Sequence, residues 1–332
     1  MVKKSTRQFR KQQMLLPIML KGGIMLEFSN KIVKNISNVI KGKENQIKII
    51  ISALFSGGHV LLEDVPGVGK TMLARAISKS FFFDFKRVQF TPDLLPTDLT
   101  GLYIYKKEKN EFIFKEGPIF TNVLLADEIN RATPRTQSAL LESMAEKQVT
   151  VDGVTHILPD VFFVIATQNP IESEGTFPLP EAQLDRFMVK LSMGYPNEME
   201  EKEILLSQLD HHPIEDISAV MDMNEFLEHR KKIKKVKISE DVIDYIVDIV
   251  RTTRNHKDIL VGASPRGSIA LMKLSKSYAY LNGRDFVLPD DVKTLAPFVL
   301  NHRILLNIEA KIKKVNKFDI INEVLDFVKV VK

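Results

Sequence analysis

Between Asp64 and Thr71 the chain reads Asp-Val-Pro-Gly-Val-Gly-Lys-Thr, directly after the apolar run His59-Val-Leu-Leu62. A strand that feeds a glycine-bearing loop and then a helix aims successive main-chain N–H groups at a phosphate. Gly67 and Gly69 free the main chain to bend, with Pro66 and Val68 completing the loop. Lys70 is placed to neutralise β- and γ-phosphates, Thr71 can put its hydroxyl on Mg²⁺, and Met72 opens a helix-forming run to Ser80. The chemistry is binding of ATP or GTP with Mg²⁺. One position departs from the generic Gly-x4-Gly-Lys-Thr pattern, because Asp64 stands where the first glycine belongs.

A second group lies further on. Val123-Leu-Leu-Ala-Asp-Glu128 is an apolar run ending in two carboxylates. Buried parallel strands read as continuous apolar runs, and reacting groups collect at their carboxyl ends. Asp127 is expected to hold Mg²⁺ through water, and Glu128 to act as the base on a hydrolytic water.

The elements that must position these groups follow from periodicity and turn chemistry. Apolar residues at Ile32, Val33, Ile36, Val39 and Ile40, then at Ile47, Ile50, Ile51 and Leu54, predict two helices broken at Lys41-Gly42-Lys43. Apolar strands are predicted at 59–62, 87–90, 123–126, 162–166 and 187–191, with Thr91–Asp98 as a turn-rich stretch. Gly101–Tyr105 with Phe112–Phe114 reads as a β-hairpin set before a helix start at Gly117-Pro118. Gln148–Ile157 reads as a second hairpin around Asp152-Gly153. Strands alternating with helices give an α/β fold with a doubly wound, parallel five-stranded sheet. Past Gly194-Tyr195-Pro196 the pattern is helical throughout, which predicts a C-terminal all-helical domain. The expected organisation is a basic extension at 1–24, an α/β nucleotide-binding core at 25–194 and a helical domain at 195–332.

Composition limits the alternatives. With no cysteine among 332 residues, disulfides, thiolate metal sites and cysteine nucleophiles are excluded. The net charge of +5 comes from scattered lysines rather than a basic stripe, so solvated faces are the expected reading. No run approaches the ~20 apolar residues that span a bilayer, and a cytoplasmic location without an integral membrane segment is expected. Lys21-Gly-Gly-Ile-Met25 reads like a translated ribosome-binding sequence before a start codon, which makes Met25 the expected true start. The seven histidines show no metal-ligand spacing, and the twenty phenylalanines, Phe81-Phe-Phe83 included, read as core.

With both motifs placed, the chain resembles a MoxR-type AAA+ ATPase of the clade with a hairpin insert in its second helix. The resemblance runs from about Phe28 to Leu306. It is carried by Glu63–Thr71, Gln89–Asp98, Phe114–Phe120, Ala126-Asp-Glu-Ile-Asn-Arg-Ala132, Ala166-Thr-Gln-Asn-Pro170, Leu179–Phe187 and Gly262-Ala-Ser-Pro-Arg266. It implies that the nucleotide is ATP and that the helical domain is a lid. Asn169 then matches sensor 1, which orients the attacking water. Arg186 matches the arginine finger that reaches a neighbouring subunit's ATP, with Arg131 and Arg135 as competing interface arginines. Arg266 matches sensor 2, carried by the lid to the γ-phosphate. Ile40-Lys-Gly42 matches the segment flanking the adenine.

The function implied is an oligomeric motor, hexameric because the finger acts in trans, that remodels or matures protein clients with a von Willebrand A domain partner. The two hairpins are the expected client contacts. A DNA-associated motor or loader is the alternative. It is disfavoured because the second hairpin has no arginine and the first balances Lys106, Lys107, Lys109 and Lys115 against Glu108, Glu111 and Glu116. A metal-chelatase motor subunit is a third reading.

Overall fold

A computed structural model describes residues 25–170, 175–209 and 211–330. The expected extension at 1–24 lies outside the described residues. Helix α1 (residues 25–37) and helix α2 (Glu44–Ser56) are the predicted pair, separated at Gly42, whose φ is +66°. Strand β1 (Val60–Glu63) leads through the glycine loop into α3 (Lys70–Ser80). Then come β2 (Phe85–Gln89), α4 (Pro96–Thr100) and the antiparallel hairpin of β3 (Gly101–Lys106) and β4 (Glu111–Glu116). Strand β5 (Val123–Asp127) is followed by α5 (Pro134–Glu146). The second hairpin, β6 (Gln148–Val151) and β7 (Val154–Ile157), turns at Asp152-Gly153. Both turn residues have positive φ, 50° and 81°, as a tight two-residue turn requires. Strand β8 (Phe163–Gln168), α6 (Glu181–Leu184) and β9 (Val189–Leu191) complete this part.

The five core strands pair in parallel in the order β2-β5-β8-β1-β9. Side chains alternate across the sheet, so each strand feeds two apolar layers. Val60, Leu62, Leu125 and Ile165 face α2 and α3, whereas Leu61, Leu124, Ala126 and Val164 face α5.

Helices α7 (Glu198–Leu206), α8 (Met223–Lys234), α9 (Glu240–Asn255), α10 (Pro265–Leu281), α11 (Pro289–Leu300), α12 (Ile308–Ile312) and α13 (Lys317–Phe327) form the rest. Their starts are written in the sequence. Asn197 and Asp222 cap α7 and α8 with reciprocal bonds to Glu200 and Glu225, satisfying N–H groups that a helix leaves open. This part shares one apolar cluster with the first: Phe226 of α8 stacks on Phe55 at 4.5 Å and meets Phe81 and Phe83 edge-on.

Four expectations change. The helical part also contains a small antiparallel ribbon, β10 (Ile259–Val261) with β11 (Leu305–Leu306), too short to leave a periodic signal. Gly117-Pro118 starts a turn rather than a helix. Gly117 is pressed against the main chain of Leu99 and Gly101, where a Cβ would clash, and Thr121 N–H returns to the Ile119 carbonyl. The turn-rich stretch after Thr91 gives way to α4, which Pro96 starts and Asp98 caps through Leu95 N–H. Of the three consecutive phenylalanines, Phe81 and Phe83 are buried, but Phe82 sits at φ 52° and faces solvent. Among the described residues no helix is long and apolar enough to cross a membrane.

Candidate functional site

The loop between β1 and α3 is shaped by Gly67 (φ 88°) and Gly69 (φ 84°), left-handed conformations that side chains disfavour. Lys70, the first residue of α3, donates to the Asp64 carbonyl at 2.8 Å and the Val65 carbonyl at 3.2 Å. Partial burial lowers its pKa, and the carboxylates of Asp64, Asp127 and Glu128 oppose that fall.

Asp64 explains its departure from the generic loop. Its buried carboxylate accepts from the Ser192 hydroxyl at 2.5 Å, Met193 N–H at 2.8 Å and Gly194 N–H at 3.0 Å. It therefore ties the phosphate loop to the segment that leaves β9.

The acidic pair stands at the end of β5. Asp127 Oδ2 accepts from Arg87 Nη2 at 2.7 Å and Nε at 3.1 Å, and Asp127 Oδ1 accepts from the Thr167 hydroxyl at 2.6 Å. Glu128 has φ 55°, with its N–H donating to Thr167 Oγ1 at 2.8 Å. Its Oε2 accepts from Gln89 Nε2 at 2.6 Å and pairs with Arg131 Nη1 at 2.9 Å. A cavity of about 370 Å³ gathers these groups, with Pro66, Gly67, Gly69, Lys70, Thr71 and Met72 along one wall and Arg87, Gln89, Asp127, Glu128 and Asn169 along the other.

The Thr71 hydroxyl and the Asp127 carboxylate are hard oxygen donors of the kind Mg²⁺ takes. Both Asp127 oxygens already accept protein donors, so a bridging water is the route that fits. Arg87, Gln89 and Thr167 were not found by sequence reasoning. Arg87 and Gln89 share a face of β2 by alternation, but their meeting with the acidic pair depends on β2 lying beside β5, with Gln89 opposite Asp127.

A second, more apolar cavity of about 220 Å³ opens beside the loop, lined by Val39, Ile40, Val68, Met72, Ile204 and Pro213 among others. Gly42, grouped with Ile40 by sequence, does not line it. A Cβ there would run into the Glu200 carboxylate, so Gly42 admits the start of α7 instead.

Arg186 and Arg266 lie elsewhere. The strands run in parallel, and Met188 N–H, just before β9, donates to the His59 carbonyl, just before β1. Arg186 thus sits at the edge where β1 begins, and Lys70 lies past the edge where it ends. A four-residue strand spans about 13 Å at ~3.3 Å per residue, so neither side chain reaches the phosphate loop of its own chain. Arg186 donates to the Leu141 carbonyl at 2.7 Å, and the exposed Arg266 pairs with Asp185 at 3.7 Å. Both line a cavity of about 200 Å³ with Gly57, Gly58 and Met144. Arg131 stays at its own chain's Glu128, and Arg135 is exposed at the start of α5. His59 is a core residue of this edge: Nδ1 accepts Val164 N–H at 3.1 Å, which leaves Nε2 to donate to the Met144 carbonyl at 3.2 Å.

Comparison with known proteins agrees in extent. A family model described as "ATPase family associated with various cellular activities (AAA)" matches residues 59–189, and one described as "AAA lid domain" matches residues 251–324. An uncharacterised protein, YeaC of Bacillus subtilis, is 53% identical over 300 residues, covering 90% of this chain and 94% of its own. Chaperone MoxR1 of Mycobacterium tuberculosis is 39% identical over 302 residues, covering 88% of this chain and 80% of its own. The crystal structure of a candidate ATPase from Cytophaga hutchinsonii superposes with a TM-score of 0.87 at 41% identity, over 96% of this chain and 99% of that one.

Proposed function

Because the chain belongs to the MoxR family of AAA+ ATPases, we propose that it hydrolyses ATP at sites shared between neighbouring subunits of a ring and uses the cycle to remodel protein clients. The observation that carries this reading is the separation of Arg186 from its own chain's cavity. One edge of the sheet holds the loop, Glu128 and Asn169, while the other holds an arginine that has no phosphate of its own to serve.

In this reading Lys70 and the loop N–H groups bind the β- and γ-phosphates, and Val68, Met72 and Ile40 flank the base. Thr71 directly and Asp127 through water would hold Mg²⁺, which would supply charge neutralisation at the phosphates when bound. Asn169 orients the attacking water and Glu128 takes its proton as the oxygen bonds to the γ-phosphorus and the bond to the bridging oxygen breaks. Gln89 and Arg131, both on Glu128 Oε2, fix where that carboxylate points. Arg186 and Arg266 approach the same phosphate from the neighbouring subunit. The division into a core at 25–194 and a lid at 195–332 belongs to this proposal, as does a six-subunit ring with a von Willebrand A domain partner.

The hairpins support a protein client. They are joined by an aromatic cluster in which His156 stacks on Phe114 at 3.7 Å and meets the Tyr103 hydroxyl at 3.3 Å. Phe112 and Ile157 stay exposed on them, and Lys109 pairs with Glu111. That surface is apolar and charge-balanced, unlike one that tracks a phosphate backbone. The test is sizing of Glu128→Gln protein with and without Mg-ATP, alongside wild-type turnover with and without DNA. Assembly to about six subunits with turnover indifferent to DNA is expected. A persistent monomer would sink the shared site, and strong stimulation by DNA would move the function to a nucleic-acid motor.

A further inference from the structure

Arg303, just past the end of α11, is buried with its side chain only 3% exposed, and it points into the segment that carries Arg186. Its Nε donates to Asp185 Oδ1 at 2.7 Å. Its Nη2 donates to the carbonyls of Asp185 at 3.2 Å and Phe187 at 2.7 Å. Its Nη1 reaches the Met188 carbonyl at 3.1 Å, the Val299 carbonyl and His302 Nε2. All five guanidinium donors therefore have acceptors, and three of them are the main-chain carbonyls on either side of Arg186. Burial pulls the Arg303 pKa down, and Asp185 beside it opposes that fall.

Asp185 carries more than Arg303. Its Oδ2 lies 3.7 Å from Arg266 Nη1 and 3.4 Å from the Ser264 hydroxyl, both at the start of α10. Gly267, one residue on, leaves room for the Arg303 stem, with Cδ at 3.3 Å from where a Cβ would stand. One carboxylate and one guanidinium thus join the strand edge that bears Arg186 to the helix that bears Arg266.

We infer that Arg303 is a positioning residue: with Asp185 it mounts Arg186 and Arg266 as a single unit, so that both arginines are presented together to the neighbouring subunit's nucleotide. This rests on the reading of Arg186 as a finger acting in trans. Arg303 itself touches no phosphate. It sets the path of the 185–188 main chain, and a lysine cannot replace it, because an ammonium has three donors and no planar fork.

The experiment uses full-length Arg303→Lys and Asp185→Asn proteins, the second in case the first does not fold, with folding checked by thermal unfolding. A misplaced finger lowers kcat about 10- to 100-fold while KM and the Kd for a fluorescent ATP analogue change less than about twofold, since the protein's own loop is untouched. Subunit mixing then isolates the direction of action. Glu128→Gln subunits, which present a finger but do not hydrolyse, should restore turnover to Arg186→Ala subunits. Glu128→Gln subunits that also carry Arg303→Lys or Asp185→Asn should assemble and fail to do so. Restoration as strong as with the parent donor, while Arg186→Ala alone is inactive, overturns the mount and leaves the finger standing. Normal turnover by Arg186→Ala alone overturns the finger, and the mount with it.

Discussion

The two edges of the parallel sheet are built from different materials. At the carboxyl edge Arg87 on Asp127 and Gln89 on Glu128 line an open cavity, and the buried Thr167 hydroxyl joins the Asp127 carboxylate to the Glu128 N–H. At the amino edge the polar groups are sunk into the protein. Arg303 is buried against main-chain carbonyls, and His59 is buried between β8 and α5. The first arrangement suits groups that must exchange partners when nucleotide arrives. The second suits groups that must hold still while Arg186 and Arg266 face outward. A shared site needs both, a responsive half and a rigid half.

The largest effect that would break this contrast is at Arg186. Removing a trans arginine typically costs about 10³- to 10⁵-fold in kcat, so Arg186→Ala should lose turnover on that scale while binding a fluorescent ATP analogue with unchanged affinity. Turnover near wild type would mean that the amino edge has no catalytic part. Next, Glu128→Gln should lower kcat by about 10²- to 10⁴-fold, the usual worth of a general base, again with nucleotide binding kept. A loss of binding instead would place Glu128 among the binding groups.

The rigid edge should also reveal itself by acid. Burial holds the His59 pKa down to about 4 from 6.5. The unfolded chain takes up that proton and the folded chain does not, so stability is full above pH 6.5 and falls as pH drops toward 4. The shift corresponds to about 3 kcal/mol from His59 at the acid end. Urea midpoints at pH 7.5 and 4.5 measure it, and His59→Gln, weaker at neutral pH, should lose less on acidification. An equal loss would mean that His59 does not govern the acid response. The smallest effect is expected at Asp64. Asp64→Asn takes away one acceptor oxygen from the Ser192, Met193 and Gly194 donors, at about 1–3 kcal/mol. Calorimetry reads this directly, and no change in Tm would show that the tie to the 192–194 segment is dispensable.

The same division governs what could be read from the sequence. Lys70, Thr71, Asp127 and Glu128 were legible because each sits at a strand end or loop whose local pattern names it, and Asn169 through the family resemblance; the cavity gathers all five. Arg87, Gln89 and Thr167 were not, since strand order brings β2 and β8 to either side of β5 and order is not a local property. Arg303 carried no signal either, because the Asp185 carboxylate and the 185–188 carbonyls that it holds lie about 115 residues away in the chain. Gly42 was placed beside the base by resemblance, but its neighbour is Glu200 of α7. Gly117-Pro118 has the local look of a helix start, yet the close approach of the Leu99 main chain overrides it.

Phe226 carries a further consequence. It is fully buried among Phe55, Phe81 and Phe83, so the interior of the helical part and that of the sheet part are one continuous body of side chains. Swinging the lid open like a door would tear that body apart and wet its rings. What remains open to it is shear, small slides of α8 and α10 over α2 of the kind packed helices make without unpacking. On this architecture, any movement of the helical part that keeps these rings buried is a slide of ångströms.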